Sequence, residues 1–193
     1  MFQSSPIVKK LFWANIILFL FTLIGQNVLG FPVMNYLALF PYDSPNFSYY
    51  QFITSIFMHA GIAHLLFNML ALVSFGPDVE NQLGERKFLV FYMLMGLGAS
   101  LLQMSLSNGA LIGASGAIFG VLVYFTMYNP TSKLSLFLLP IYIEARKMLL
   151  FMIGLEILMA LFVKDGVGHW AHLGGALTGF ILYKLDQKYQ FNI

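Results

Sequence analysis

The chain contains no cysteine and few charged residues. Without cysteine, disulfides, thiolate nucleophiles and cysteine-ligated metal sites are excluded. Of the 193 residues, only 9% are Asp, Glu, Lys or Arg and 59% are hydrophobic, too few charges to cover a water-soluble domain. The ten Lys and Arg residues are spread along the chain rather than clustered, which argues against nucleic acid as a partner. The composition therefore predicts an integral membrane protein.

Six apolar stretches approach the roughly 20 residues that a helix needs to cross the hydrocarbon core of a bilayer. They cover residues 11–30, 62–75, 88–106, 110–128, 148–163 and 169–183. We therefore predict an all-α polytopic membrane protein with a bundle of six transmembrane helices. Because about 100 to 200 residues make one domain, residues 1–193 are predicted to form a single domain. The first stretch is longer than the apolar region of a signal peptide and is interpreted as a retained span.

The positions of Lys and Arg predict the orientation of these spans. With the N-terminus in the cytoplasm, nine of the ten Lys and Arg residues fall inside and only Lys164 falls outside, as the positive-inside rule requires. Both termini are therefore predicted to be cytoplasmic. Residues 134–143 are apolar but too few to cross, and they include Pro140, so both ends of this stretch are expected on one side.

A group of polar residues begins the second span, where His59, His64 and Asn68 follow the pattern H-x-x-x-x-H-x-x-x-N. His64 and Asn68 are four residues apart and project from one face of a helix. Polar side chains in hydrocarbon are costly, so such a group suggests function. The alternative is that both side chains only bond to neighbouring helices. No metal site is predicted, since the two histidines are five residues apart and no acidic ligand accompanies them.

Ser115 lies at the start of the fourth span, within the sequence Gly113-Ala-Ser-Gly116. Gly116 and Gly120 form a small-residue stripe for helix packing, and a serine there can simply bond to its own backbone. A helix from Ser115 to Tyr128 would rise only about 21 Å, less than the hydrocarbon core, so Ser115 would lie below the membrane surface. Irregular backbone at that depth must line protein or a wet cavity. We therefore predict a water-accessible pocket above Ser115.

His172 begins the sixth span, beside a second small-residue stripe formed by Ala171, Gly175 and Gly179. The fourth and sixth spans both run inward from the outer side, so packing of the two stripes would bring Ser115 and His172 to a similar depth. A neutral imidazole can remove the proton of a serine hydroxyl and so make it a nucleophile.

None of the carboxylates lies at a fixed sequence spacing from Ser115 or His172. Asp43 and Asp165 fall in outer loops, and neither has a fixed spacing to His172. Glu156 lies in the middle of the fifth span; we expect it to pair with a polar residue elsewhere or to be protonated, without a catalytic part. The prediction is therefore a dyad of Ser115 and His172, in which packing orients the imidazole.

An acyl-transfer site also needs donors for the oxyanion of its tetrahedral intermediate. The side chains of His64 and Asn68 can supply them. The backbone N–H of Ser115, at the positive end of a helix, can supply another.

Together these motifs resemble the rhomboid family of intramembrane serine proteases. The similarity rests on G-x-S-G at 113–116, H-x-x-x-x-H-x-x-x-N at 59–68 and A-H-x-x-G at 171–175, and on their order along spans two, four and six. It implies a serine endopeptidase without cofactor or metal. The residues it implicates are the nucleophile Ser115, the base His172, the oxyanion hole of His64, Asn68 and the Ser115 amide, and the supporting residues Gly113, Gly116, Phe119 and Gly175.

The resemblance also implies substrates and a location. The substrates would be single-span membrane proteins, cut in or near the transmembrane segment beside a small residue where the helix can unwind. The location would be a lipid bilayer, specifically the cytoplasmic (inner) membrane of a bacterium. The sequence carries no prediction of oligomeric state.

Three further positions are interpreted through the resemblance. Glu80 resembles the family's structural acidic residue at the inner end of the second helix. Phe119 occupies a position where family members often have a tyrosine that packs on the imidazole, so the ring is kept without its hydroxyl. Tyr50-Gln51 stands where a Trp-Arg pair is frequent in the first outer loop.

Two other functions compete with the protease. A transporter or channel could use the His and Asn residues and Glu156 to line a path, although no internal repeat supports this. A catalytically inactive relative could bind membrane proteins as clients, but Ser115 and His172 are both present.

Overall fold

The computed structural model describes residues 5–135 and 142–191, most of which are helical. The helices in chain order are α1 (Pro6–Asn27), α2 (Val33–Leu37), α3 (Gln51–Thr54), a 3-10 turn (Ser55–Phe57), α4 (Ile62–Leu83), α5 (Glu85–Leu106), α6 (Ser115–Tyr128), α7 (Ala145–Phe162) and α8 (His169–Tyr189). Within the described residues, α1, α4 and α5 are long and apolar enough to cross a membrane, and α6 is a shorter apolar helix.

The ends of several helices differ from the ends of the predicted spans. Helices α4 and α8 run to Leu83 and Tyr189, beyond the predicted ends at residues 75 and 183. The apolar pattern marks hydrocarbon, and a helix can continue into polar surroundings after that pattern stops. Conversely, α6 begins at Ser115 rather than at the predicted residue 110. Residues 110–114 form the loop that leads into it.

A short pair of strands precedes α7. Strand β1 (Lys133–Ser135) pairs antiparallel with β2 (Tyr142–Glu144), with Lys133 opposite Glu144. Residues 136–141, including Pro140, lie outside the described residues. The two ends of the apolar stretch 134–143 therefore lie side by side, as expected of a segment that does not cross.

Helix α6 is the central helix of the bundle and contacts α4, α5, α7 and α8. Ten of its 14 residues are buried, since it is apolar on every face. The peripheral helices instead present large apolar side chains outward; on α7, Leu150 and Phe151 are 72% and 70% exposed. In water such a surface would be costly, and in a bilayer it contacts acyl chains.

Glycines bring α6 and α8 into backbone contact. A Cβ on Gly175 would collide with the carbonyl oxygen of Gly116, and a Cβ on Gly179 would collide with that of Gly120. The two small-residue stripes thus face each other. This contact holds the first turns of α6 and α8 side by side.

Gln51 holds the long segment between α1 and α4 together. Its amide nitrogen donates to the carbonyl oxygens of Tyr36 and Asn46, at 3.1 and 2.7 Å. Its amide oxygen accepts from the backbone N–H groups of Phe40 and Ser48, at 3.3 and 3.1 Å. All four hydrogen-bonding positions of this buried amide are used, so the side chain links the distant parts of the segment to one another.

Glu80 fixes the start of α1 against α4. Its two carboxylate oxygens accept hydrogen bonds from the backbone N–H groups of Ile7 and Val8, at 2.9 and 2.8 Å. The first N–H groups of a helix have no partner within the helix and attract negative charge. Glu80 therefore caps α1 from a distance, at the other end of α4 from His64.

Candidate active site

Ser115 is placed by an unusual turn at the start of α6. Gly113 has φ +124°, a conformation that side chains other than that of glycine rarely adopt, and its N–H donates to the carbonyl oxygen of Ser55 at 2.9 Å. A Cβ on Gly113 would also lie 2.9 Å from the ring of His64. Glycine is therefore required here twice, for its backbone angle and for space. The turn leaves Ser115 as the first residue of α6, at its positive end.

His172 lies in the first turn of α8, directly beside Ser115. Its Nε2 is 2.8 Å from the hydroxyl oxygen of Ser115. The start of α8 is held by Gln103 of α5, whose side-chain oxygen accepts the N–H of Ala171 at 3.1 Å. Sequence reasoning missed Gln103, because a glutamine in the last turn of an apolar helix gives no sign of which helix it caps.

Phe119 covers one face of the imidazole. The rings of Phe119 and His172 are stacked, with centroids 4.5 Å apart and planes inclined by 11°. Ser115 and Phe119 are one helical turn apart on α6, so one helix face presents both the hydroxyl and the ring that orients its neighbour.

The cavity above Ser115 has a volume of about 690 Å³. It is lined by His64, Asn68, Ser115 and His172, among others. Asn68 donates one amide hydrogen to the carbonyl oxygen of His64 at 2.8 Å, and its second amide hydrogen is not used by that bond. The structure thus brings the four predicted site residues around one cavity. Their roles there stay predictions.

His59 lies behind His64, in the loop before α4. The two rings are 4.9 Å apart and meet edge to face. Burial, with a smaller contribution from His64, lowers the pKa of His59 to about 4. His59 is therefore neutral at pH 7 and adds no positive charge to the region.

A second group of polar side chains lies on the other side of His172. Glu156 of α7 has one carboxylate oxygen 3.0 Å from Nδ1 of His172 and the other 2.6 Å from Nδ1 of His169. Sequence analysis expected that Glu156 pairs with a polar residue or is protonated, but it did not identify His169 and His172 as partners, because the three residues come from two helices without a fixed spacing. The available signal was the cost of a glutamate in the middle of an apolar helix.

The same three side chains are the set of His, Asp and Glu residues in ranges 5–135 and 142–191 that could share a metal ion. One ligand atom from each lies within 4.8 Å of the others. The 2.6 Å separation between Glu156 and His169 is that of a charge-assisted hydrogen bond, which explains their approach without an ion. The predicted absence of a metal stays a prediction.

Comparison with known proteins gives the class to which this fold and this site belong. Residues 46–188 match the Rhomboid domain family, and the chain belongs to that family. This confirms the family resemblance inferred from the three motifs.

Individual relatives include bacterial and plant proteins. The chain is 35% identical to Rhomboid protease GluP of Bacillus subtilis over 142 residues, which are 68% of this chain and 25% of GluP. It is 36% identical to RHOMBOID-like protein 2 of Arabidopsis thaliana, over 69% of this chain and 41% of that protein. It is 29% identical to Rhomboid protease GlpG of Klebsiella pneumoniae, over 90% of this chain and 62% of GlpG. The chain thus spans between a quarter and about three fifths of the length of these relatives.

Proposed function

We propose that this chain is an intramembrane serine endopeptidase that uses Ser115 and His172 as a catalytic dyad. The observation that carries this proposal is the 2.8 Å separation between Nε2 of His172 and the hydroxyl oxygen of Ser115, at the edge of a cavity. Membership of the rhomboid family and the names of GluP and GlpG support the same activity.

The reaction begins when Nε2 of His172 takes the hydroxyl proton of Ser115 and the serine oxygen attacks the carbonyl carbon of the substrate. The resulting oxyanion accepts hydrogen bonds from the N–H of Ser115 and the side chains of His64 and Asn68. His172 then gives its proton to the leaving amine. The acyl group remains on Ser115 as an acyl-enzyme. His172 then takes a proton from a water molecule, the water oxygen attacks the acyl carbon, and the proton returns to the oxygen of Ser115.

The substrates proposed are single-span membrane proteins, cut in or near the transmembrane segment. A peptide bond inside an intact helix is shielded by the helix, so the segment must unwind locally before attack. A small residue next to the bond favours unwinding. The position of Ser115 at the start of a 14-residue helix, beside the cavity, suits a segment that enters from the bilayer.

The membrane arrangement proposed is a single domain in the bacterial cytoplasmic membrane. Six helices, α1 and α4 to α8, would cross it, and both termini would lie in the cytoplasm. The short helix α6 is compatible with a span because it is surrounded by other helices rather than by lipid. The distribution of Lys and Arg supports the orientation.

The test is cleavage of a reporter transmembrane protein by the purified chain in liposomes. Ser115→Ala and His172→Ala are each expected to abolish cleavage, while the unfolding temperature stays close to that of the unaltered chain. Ser105→Ala is the matched control, because the Ser105 hydroxyl lies on α5 and donates to the carbonyl oxygen of Leu101 in its own helix at 2.8 Å. Undiminished cleavage by both site variants would refute the proposal.

A further inference from the structure

Glu156 approaches the imidazole of His172 from the edge opposite Ser115. Its Oε1 atom is 3.0 Å from Nδ1 of His172, and Nε2 of the same ring is 2.8 Å from the Ser115 hydroxyl. Carboxylate, imidazole and hydroxyl therefore follow one another across the site. The Glu156 side chain is 15% exposed, so little solvent reaches its charge.

The tautomer of His172 decides whether it can act as a base. Nε2 can accept the serine proton only if the ring already carries its own proton on Nδ1. Nδ1 is buried and has no linear hydrogen bond in this arrangement, because Glu156 is close but lies off the direction of an N–H bond. At 3.0 Å the carboxylate still favours a proton on Nδ1 by charge attraction.

His169 holds the other oxygen of Glu156. Oε2 of Glu156 is 2.6 Å from Nδ1 of His169, and Nε2 of His169 is 3.2 Å from Oδ1 of Asp165. The backbone N–H of Val167 and, to a smaller extent, His169 lower the pKa of Asp165, so this loop carboxylate is ionised at neutral pH. His169 thus lies between two carboxylates and keeps Glu156 beside His172.

We infer that Glu156 is a positioning residue that keeps His172 in the Nδ1–H tautomer and offsets its positive charge during catalysis. The arrangement is a Ser–His–Glu triad whose acid comes from α7. This inference rests on the proposed protease activity. The proton moves from Ser115 to Nε2 of His172 and then to the leaving amine, and Glu156 stays ionised throughout.

The first experiment removes the charge of the Glu156 side chain and keeps its shape. Loss of the triad acid in a serine protease lowers kcat by about 10⁴-fold. Since Phe119 also orients the ring, we expect a smaller loss of about 10- to 100-fold in kcat for Glu156→Gln, with KM unchanged. Glu156→Asp, which keeps the charge on a shorter side chain, is expected to recover part of this loss. Asp43→Asn removes an exposed loop carboxylate and is the matched control.

Rates are expressed per active site, counted by labelling with a fluorophosphonate, so that unfolded protein does not contribute. A purely structural role for Glu156 would reduce the number of active sites and the unfolding temperature but leave kcat per site intact. Such a result, or a Glu156→Gln variant with unaltered kcat, would overturn the inference.

A second measurement uses the unaltered chain and does not depend on the folding of any Glu156 variant. The chain is labelled with ¹⁵N-histidine in detergent micelles, and the His172 signals are assigned by their loss in His172→Ala. We expect the neutral His172 ring to carry its proton on Nδ1. A proton on Nε2 would overturn the inference.

Failure of this inference can be distinguished from failure of the protease proposal. If Ser115→Ala and His172→Ala abolish cleavage but Glu156→Gln retains the full kcat, the dyad of Ser115 and His172 is supported and the positioning role of Glu156 is refuted. If the unaltered chain neither cleaves the reporter nor reacts with the fluorophosphonate, the protease proposal itself fails.

Discussion

Two carboxylates inside the helical bundle, Asp186 and Glu156, have different partners. Asp186, near the end of α8, lies 2.9 Å from the ammonium of Lys87 and accepts a hydrogen bond from the Tyr124 hydroxyl at 2.8 Å. Glu156 of α7 instead lies between two imidazoles. A lysine ammonium keeps its charge at neutral pH, whereas an imidazole gains or loses charge there.

The difference separates the end of the bundle around Asp186, which we call the structural end, from the end that carries the proposed catalytic residues, which we call the reactive end. Both ends share α6 and α8: Ser115 and His172 lie in the first turns of these helices, and Tyr124 and Asp186 lie further along them. At the Asp186 end, each carboxylate oxygen has its own partner, the Lys87 ammonium or the Tyr124 hydroxyl. At the Glu156 end, one of the two imidazoles, that of His172, also contacts the hydroxyl of Ser115.

The largest effect is expected at the glycine contact that holds the first turns of α6 and α8 side by side. Gly175→Ala puts a Cβ against the carbonyl oxygen of Gly116 and forces α6 and α8 apart. We expect a loss of about 3 kcal/mol in unfolding free energy, because backbone cannot yield as a side chain does. Misplacement of Ser115 and His172 by about 1 Å should also lower kcat about 100-fold. Unfolding in detergent and reporter cleavage measure the two effects.

The control for this variant is Gly154→Ala on α7. Outside its own helix backbone and chain neighbours, a Cβ there meets no atom of the described residues within 4 Å, so the same substitution should lower neither stability nor cleavage. Equal behaviour of the two variants would contradict the claim that the glycine contact holds α6 and α8 side by side.

Breaking the structural end should lower stability and spare the chemistry. Asp186→Ala leaves Lys87 without its partner among buried groups, and we expect a loss of about 3 kcal/mol in unfolding free energy. Fluorophosphonate labelling of Ser115, measured per folded molecule, should stay unchanged. The double variant Lys87→Met with Asp186→Asn removes both charges, keeps an acceptor for the Tyr124 hydroxyl and should recover most of the stability. Slower labelling in Asp186→Ala would mean that the two ends are coupled.

Removing the ring that covers His172 should have the opposite effect: it should slow the reaction of Ser115 and spare the stability. Phe119→Ala removes a stacked aromatic contact, worth about 0.5–1.5 kcal/mol, which corresponds to roughly 2- to 10-fold slower labelling of Ser115. Phe119→Tyr keeps the ring and is expected to label at the rate of the unaltered chain. A Phe119→Ala variant that labels normally would show that the ring does not orient the imidazole.

The smallest effect is expected for a carboxylate outside both ends. Glu144 contacts Arg146 at 2.7 Å and Lys147 at 3.2 Å on the surface. These hydrogen bonds, that of Arg146 first, lower the pKa of Glu144, so any stabilisation exists at neutral pH and is lost as acid protonates the carboxylate. Solvent and salt screen such pairs. Glu144→Gln should therefore leave the unfolding temperature at pH 7 unchanged, and a clear decrease would contradict this interpretation.

Much of the reactive end could be predicted from the sequence, because its residues belong to local patterns. Ser115 and His172 each lie at the start of an apolar segment and beside a small-residue stripe, so a packing argument alone expected them side by side. Glu156 follows no such pattern. Its partners lie on another helix, and only the three-dimensional packing of α7 against α8 brings them together. The expectation that packing alone orients His172 omitted this neighbour.

The helical bundle was predictable to a similar extent. Apolar stretches marked helices α1 and α4 to α8, but their ends were missed in α4 and α8, where helix continues into polar sequence. The four hydrogen bonds of Gln51 were also out of reach of sequence reasoning, because an amide can bond to any nearby backbone group. Local composition predicts where a helix runs in hydrocarbon, and tertiary contacts decide the rest.

The central claim, that His172 activates Ser115, is tested most directly by reaction with a fluorophosphonate in detergent micelles. The unaltered chain should form a covalent adduct, and peptide mass spectrometry should place it on Ser115. The His172→Ala variant should unfold at the same temperature as the unaltered chain and should form no adduct. An adduct at Ser115 that forms equally fast without His172, or an adduct on another serine, would contradict the account.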